Sequence, residues 1–358
     1  MAGDPADAPA PGQVRAGAAA SNSTPASTAA PQFSLAPPAP LAWIDGRFVP
    51  ATAAMLPVGD AGFVLGVTVT EQMRSFAGGL FLADEHAARF GRSLATVGIT
   101  IPYPLQEVFA AAAKVAQSVH AAGRPEDDVG VIVFATPGDL AAQHSGKSGP
   151  PRVVAHAFPL AFGAWAGAYE AGVSLRSVTV EQVPAACWPL ALKCRSRMHY
   201  YLADREAHAA EPGARAILRH ADGRISETAT ANVAIVRGGV ILTPPAGEAL
   251  AGVSLHYLRG LAATEGVPWQ ESSLLANDLA TADEILLSST PSCLLPATGF
   301  DGKSIGTGRP GPMFRRLLNA WSRGVGLDIA AQARAILGDR PRAQDAALSG
   351  APLAVDPV

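Results

Sequence analysis

The chain has 358 residues, of which 49% are hydrophobic and 16% charged, with a formal net charge of -3. That is more chain than one ordinary domain holds and enough apolar material for two cores. The small negative charge offers no electrostatic basis for a nucleic-acid or anionic-membrane partner, and points instead to small molecules or further copies of the chain.

Residues 1–38 are nearly all Ala, Pro, Gly, Ser, Thr and Asp. Such a segment buries too little surface to offset chain entropy, which predicts a disordered tail. The first residues lack the basic start and apolar stretch of a signal peptide, and no apolar run reaches the roughly 18 residues a membrane span needs. Cys187, Cys194 and Cys293 form no C-x-x-C pair, so the expectation is a reduced, soluble, cytoplasmic protein without a metal site.

Order is expected from "LAWIDGRFVP", two apolar runs about an Asp-Gly turn that reads as a hairpin. A second hairpin is expected at "EQMRSFAGGLFLA", after which Asp84 is placed to cap the helix "EHAARFGRSLATVGI". A further helix over 104–121 and the strands "VGVIVFAT" and "RVVAHAF" complete an N-terminal α+β domain, 39–158. Residues 159–172, "PLAFGAWAGAYEAG", read as an interdomain linker. Beyond it come a strand near 173–180, a helix after residue 193, the β-rich stretch from 215 to 245, and two helices flanking the strand "DEILLSST". These make a C-terminal α/β domain, 173–323. A tail is expected over 324–358, in which "LDIAAQARAIL" is a candidate short helix.

Lysine is scarce: of 27 Lys plus Arg, only residues 114, 147, 193 and 303 are lysines. Lys193 follows the apolar run Trp188–Leu192, where an amine is costly unless neutralised or put to use. The plainer alternative is a lysine snorkelling from a strand end to water. Glu227, in "DGRISETATANVAIV", follows a turn and a short strand among small hydroxyl residues, and taken alone it reads as surface.

Taken together, "WIDGRFVPATAAMLPVGDAGFVLGVTVTEQMRSFAGGLFLADEHAARFGRSL", "LKCRSRMHYYLADREA", "DGRISETATANVAIVRGGVILTPP", "ALAGVSLHYL", "ADEILLSST" and "GTGRPGPMFRRLL" resemble, in order and spacing, the class IV family of pyridoxal-phosphate enzymes. That family includes branched-chain aminotransferases, D-amino acid aminotransferases and aminodeoxychorismate lyases. The resemblance runs from about residue 41 to 322. It implies a two-domain fold type IV architecture, like D-amino acid aminotransferase, with the cofactor between the domains, and a homodimer.

It further implies that Lys193 forms a Schiff base with the aldehyde of pyridoxal 5'-phosphate. An arginine, always protonated, cannot serve there. Glu227 matches the carboxylate that pairs with the pyridine nitrogen, with Asn232 at a matching position nearby. Arg89 matches the phosphate arginine, against the plainer reading of a surface pair with Glu85. Val253 and Ser254, at the start of a helix, and Thr290 match the remaining phosphate donors. Without the resemblance, Ser254 reads as a simple N-cap.

Departures fall on the substrate side. Thr70 stands before Glu71 where the family often has an aromatic, Leu65 occupies a position often aromatic, and "VGVIVFATPGD" lacks the arginine many relatives use for an α-carboxylate. Arg197, with Arg195 near it, is the candidate replacement, the plainer alternative being a solvated first turn of the following helix. The implied reaction is transfer of an amino group from a small, branched-chain-like amino acid to a 2-oxo acid. An aminodeoxychorismate lyase releasing pyruvate and a PLP-binding protein without turnover remain as alternatives.

Overall fold

The computed structural model describes residues 39–124 and 127–339. The expected N-terminal tail and the last nineteen residues of the expected C-terminal tail lie outside them. The first half builds an antiparallel sheet from β1 (Leu41–Ile44), β2 (Arg47–Pro50), β3 (Val69–Phe76), β4 (Gly79–Leu80), β5 (Val129–Thr136) and β6 (Arg152–Pro159). The strand order is β2-β1-β6-β5-β3-β4. Asp45 and Gly46 both take positive φ, 46° and 83°, the conformation that the two central residues of a tight hairpin need.

One face of this sheet, with Val69, Met73, Val131 and Val133, is buried against α2 (Ala83–Val97) and α3 (Leu105–Ala122). A single turn, α1 (Ala61–Val64), precedes them and is capped by the Asp60 carboxylate, which accepts from the Gly62 N–H. Asp84 is not a cap: the residue before α2 is Leu82, at φ 54°, and Asp84 lies inside the first turn, where its charge favours the helix dipole.

The second half contains β7 (Val173–Ser177), β8 (Arg215–Arg219), β9 (Ile225–Thr228), β10 (Asn232–Arg237), β11 (Val240–Thr243), β12 (Trp269–Glu271), β13 (Glu284–Ser289), β14 (Cys293–Phe300) and β15 (Lys303–Ser304). The helices are α4 (Ala168–Ala171), α5 (Met198–Ala210), α6 (Val253–Thr264), α7 (Ala276–Ala280), α8 (Pro312–Val325) and α9 (Ile329–Asp339). The strands run β12-β11-β10-β13-β14-β7-β8-β9, and β9 meets β10 again at the pair Glu227–Asn232. Six strands therefore close into a ring, and Glu227 sits at its seam.

Two expected boundaries shift. The stretch 159–172 is a packed segment of the larger core, because Leu160, Phe162, Trp165 and Tyr169 are all buried in it. The chain stays ordered past 324: Ile329, Ala333 and Ile336, at helical spacing, bury one face of α9 in the same core, so a tail cannot begin there. No described helix is long and apolar enough to cross a membrane.

Candidate functional site

Lys193 lies in the irregular stretch between β7 and α5, and its backbone is fixed onto the first sheet. The Thr70 N–H donates to the Lys193 carbonyl at 3.0 Å and the Arg195 N–H to the Thr68 carbonyl at 2.9 Å. The Lys193 N–H donates to the Ser93 hydroxyl on α2 at 3.3 Å. Its side chain thereby enters a cleft of ≈ 240 Å³ that Arg89, Arg197, Glu227, Ser254 and Thr290 also line. Burial, then the nearby Arg89 charge, pull the Lys193 amine from 10.5 to about 8, while Glu71 and Glu227 oppose the shift.

Both carboxylates are already engaged. Glu71, at 0% exposure on β3, accepts from Arg89 Nε and Nη2 at 2.7 Å each, and its Oε2 lies 2.7 Å from His86 Nδ1. Burial raises its pKa, but the hydrogen bonds from Arg89 and His86 and their charges outweigh this and hold it at about 2. Arg89 thus pairs with Glu71 and not with the surface Glu85. Its Nη1 reaches the Ala251 carbonyl at 2.9 Å, so three of its five N–H groups are used and two remain.

Glu227 is held by Tyr200, whose hydroxyl donates to Oε1 at 2.7 Å, and by Asn232, whose amide donates to Oε2 at 3.2 Å. Gln182 approaches Oε1 at 3.5 Å and bonds the Ser226 hydroxyl at 3.0 Å. Burial nevertheless raises the Glu227 pKa, against the hydrogen bond from Tyr200 and the charge of Lys193. A cation placed against this carboxylate would restore its charge.

Opposite lies a set of anion donors. α6 starts at Val253 after Gly252, and no side chain caps it, so its first N–H groups point into the cleft. Ser254 is therefore not an N-cap; its hydroxyl lies 3.4 Å from that of Thr290. A Cβ on Gly252 would sit 1.9 Å from Asn232 Oδ1, so only glycine lets the helix start approach the seam. Ser288, buried beside Asn232, has an Oγ without a partner facing the same cleft. An amine, a buried carboxylate, an arginine, a helix N-terminus and an orphaned hydroxyl fit pyridoxal phosphate, which presents an aldehyde, a basic ring nitrogen and a phosphate.

The substrate-side residues divide. Arg197, the residue before α5, stacks 4.4 Å over the Tyr200 ring and donates to the Ala229 carbonyl, so it faces the cleft and not solvent. Thr70 lines the cleft, but its hydroxyl is tied to the Val133 carbonyl at 3.3 Å. Leu65 does not belong to the cleft. It ends α1 at 60% exposure, on an outer surface with Phe63 and Val58.

Sequence reasoning left Glu71, His86, Tyr200, Gln182 and Ser288 unassigned. A signal for two was available: α2 buries His86, Arg89, Phe90, Ser93 and Leu94, one helical stripe in which three residues are polar. Glu71 shares the alternation of Val69 and Met73 that faces the core. Polar groups on a core-facing stripe mark an internal site.

A family model described as amino-transferase class IV matches residues 68–300. The D-alanine aminotransferase of Staphylococcus epidermidis is 26% identical over 284 residues, 78% of this chain and 96% of that protein. The solved branched-chain amino acid aminotransferase of Escherichia coli superposes with a TM-score of 0.73 at 25% identity, over 79% of this chain and 93% of its own. A branched-chain amino acid aminotransferase from Thermoproteus uzoniensis, solved with norvaline, shares the fold with a TM-score of 0.70 at 24% identity, over 80% and 95%.

Proposed function

The chain belongs to the class IV aminotransferase family, and on that premise we propose that it moves the amino group of a small, branched-chain-like amino acid to a 2-oxo acid, with Lys193 as the catalytic residue. The observation that carries this reading is the meeting, in one cleft, of a lysine amine lowered to about 8 with a buried carboxylate and an anion cradle. When bound, pyridoxal phosphate supplies an aldehyde that takes up the substrate's amino group and a cationic ring that draws electrons from the α-carbon.

Arg89 and the Val253 and Ser254 N–H groups, with the Ser254 and Thr290 hydroxyls, hold the phosphate. Glu227 keeps a proton on the ring nitrogen, and Tyr200 and Asn232 orient its two oxygens. With the cofactor bound, the Lys193 Nζ would take the proton from the substrate α-carbon and later return one. A basicity near neutrality suits an atom that must work in both directions.

Support for the carboxylate contact comes from the charges at hand. The face of β5 that pairs with Thr70 and Gln72 carries Phe134 and Ile132, without a cation, while Arg197 and Arg195 line the cleft. A guanidinium binds a carboxylate in two-pronged fashion. The relatives are named for D-alanine and for branched-chain amino acids, both small aliphatic substrates. Absorbance titration of the purified enzyme with separate L- and D-amino acids, repeated on Arg197→Ala, tests the assignment. A shift of the bound chromophore for small aliphatic amino acids, with KM raised at least about tenfold in the variant, is expected. An unchanged KM sinks the arginine's role, and pyruvate release without an acceptor identifies a lyase instead.

We further infer a homodimer in a reducing compartment. Met55, Val58, Phe63, Leu65 and Met198 are exposed apolar residues, and the Ser196 hydroxyl on the Gly66 carbonyl, at 2.8 Å, brings their two stretches together beside the cleft. All three cysteines are free. Sedimentation at micromolar concentration is expected to give twice the chain mass, and a monomer refutes the pairing.

A further inference from the structure

One strand reaches both ends of the anion cradle. Glu71 of β3 aims Arg89, and three residues further along, Arg74 turns to the opposite side. It is 1% exposed and lines no part of the cleft. Its Nη1 donates to the Pro291 carbonyl at 2.9 Å and lies 3.5 Å from the Cys293 sulfur. Pro291 belongs to the short turn between β13 and β14 that also carries Thr290, and Cys293 is the first residue of β14. Cys293 takes φ 60° without being glycine, a backbone state that persists only where its surroundings enforce it. Tyr169 fastens the same turn by donating to the Ser292 carbonyl at 2.8 Å.

Arg74 is held in turn from the far end of the chain. Its Nη2 donates to Gln332 Oε1 on α9 at 3.2 Å, and the Gln332 amide donates to Asp128 at 2.7 Å. Asp128 lies 3.8 Å from Arg74 and accepts from the Ser75 hydroxyl at 2.7 Å. The guanidinium plane also rests 4.0 Å over the Phe76 ring. A fully desolvated arginine with each edge assigned fixes geometry more tightly than a flexible cation does.

We propose that Arg74 is a positioning residue for the phosphate, which sets the turn that carries Thr290, through Pro291 and the start of β14, and is itself set by Gln332 of the C-terminal helix. The inference rests on the reading of Thr290 as a phosphate donor. α9 is therefore part of the cofactor site at one remove, although none of its described side chains lines the cleft.

The test compares pyridoxal phosphate with pyridoxal, which lacks the phosphate, by borohydride trapping at Lys193 read by mass spectrometry against ligand concentration. Arg74→Lys keeps a cation for buried Asp128 but loses the fork. Gln332→Ala, on a half-exposed helix position, serves as the second variant if the first fails to fold. Wild type is expected to prefer the phosphorylated ligand. Arg74→Lys should raise its half-saturating concentration about tenfold, and Gln332→Ala less, with pyridoxal unchanged in both. Equal weakening of the two ligands, or no weakening of either, overturns the positioning role. A wild-type protein without preference overturns the phosphate reading itself, which separates the two failures.

Discussion

Replacing Lys193 with alanine is expected to remove the borohydride-fixable adduct and to cut transamination by roughly 10⁴-fold, because one amine both attaches the cofactor and moves the α-proton. An adduct trapped at another lysine, found by peptide mapping, would falsify the assignment. The pH dependence follows from the same group. Only the neutral amine attacks an aldehyde, so capture of pyridoxal phosphate by cofactor-free protein should accelerate as pH rises through about 8. A second consequence concerns stability. The folded-state pKa is lowered from 10.5 to about 8, so charging the amine costs the folded state free energy. That cost is fully present below pH 8 and vanishes as pH rises to 10.5. Cofactor-free Lys193→Met should therefore melt above cofactor-free wild type at pH 7, with the gap closing toward pH 10.5.

Glu227→Gln is the second large effect. The amide retains the shape and the Tyr200 contact but loses the charge that keeps the ring nitrogen protonated. A fall of roughly 100-fold in kcat is expected, with the Lys193 adduct still forming. Normal turnover in this variant would mean that the carboxylate only closes the β9–β10 seam. Loss of the adduct together with a large drop in melting temperature would give it a structural role. Tyr200 and Asn232 donate to different oxygens of this side chain, so replacing either alone should have a smaller effect than Glu227→Gln.

Which features can be read from the chain follows from where their partners lie. The hairpin at Asp45–Gly46, the strands from 129 and 152 and the helices from 105 and 312 depend on neighbours in sequence, and they form where expected. Lys193 can be singled out because an amine after five apolar residues is locally anomalous. Arg89 matches an anion role, but its partner is not legible: Glu85 is one turn away in sequence, whereas Glu71 arrives by packing β3 against α2. Tyr200 is equally hidden, because Glu227 is brought to it across 27 residues. The candidate helix at 327–337 forms as α9, but its seating in the larger core is hidden, because only Ile329, Ala333 and Ile336 mark the buried face. Leu65 lies at the end of α1, exposed and outside the cleft of its own chain, which its place in the sequence does not reveal.

The stretch that presents Lys193 is joined to β3 through main-chain groups: the Thr70 and Arg195 N–H groups and the Thr68 and Lys193 carbonyls. Main-chain pairing is indifferent to what the side chains are. Cys194, which neither gives nor takes one of these bonds, can therefore be varied freely, and Arg195 can become any residue but proline, which has no N–H to give, while the Lys193 backbone keeps its place.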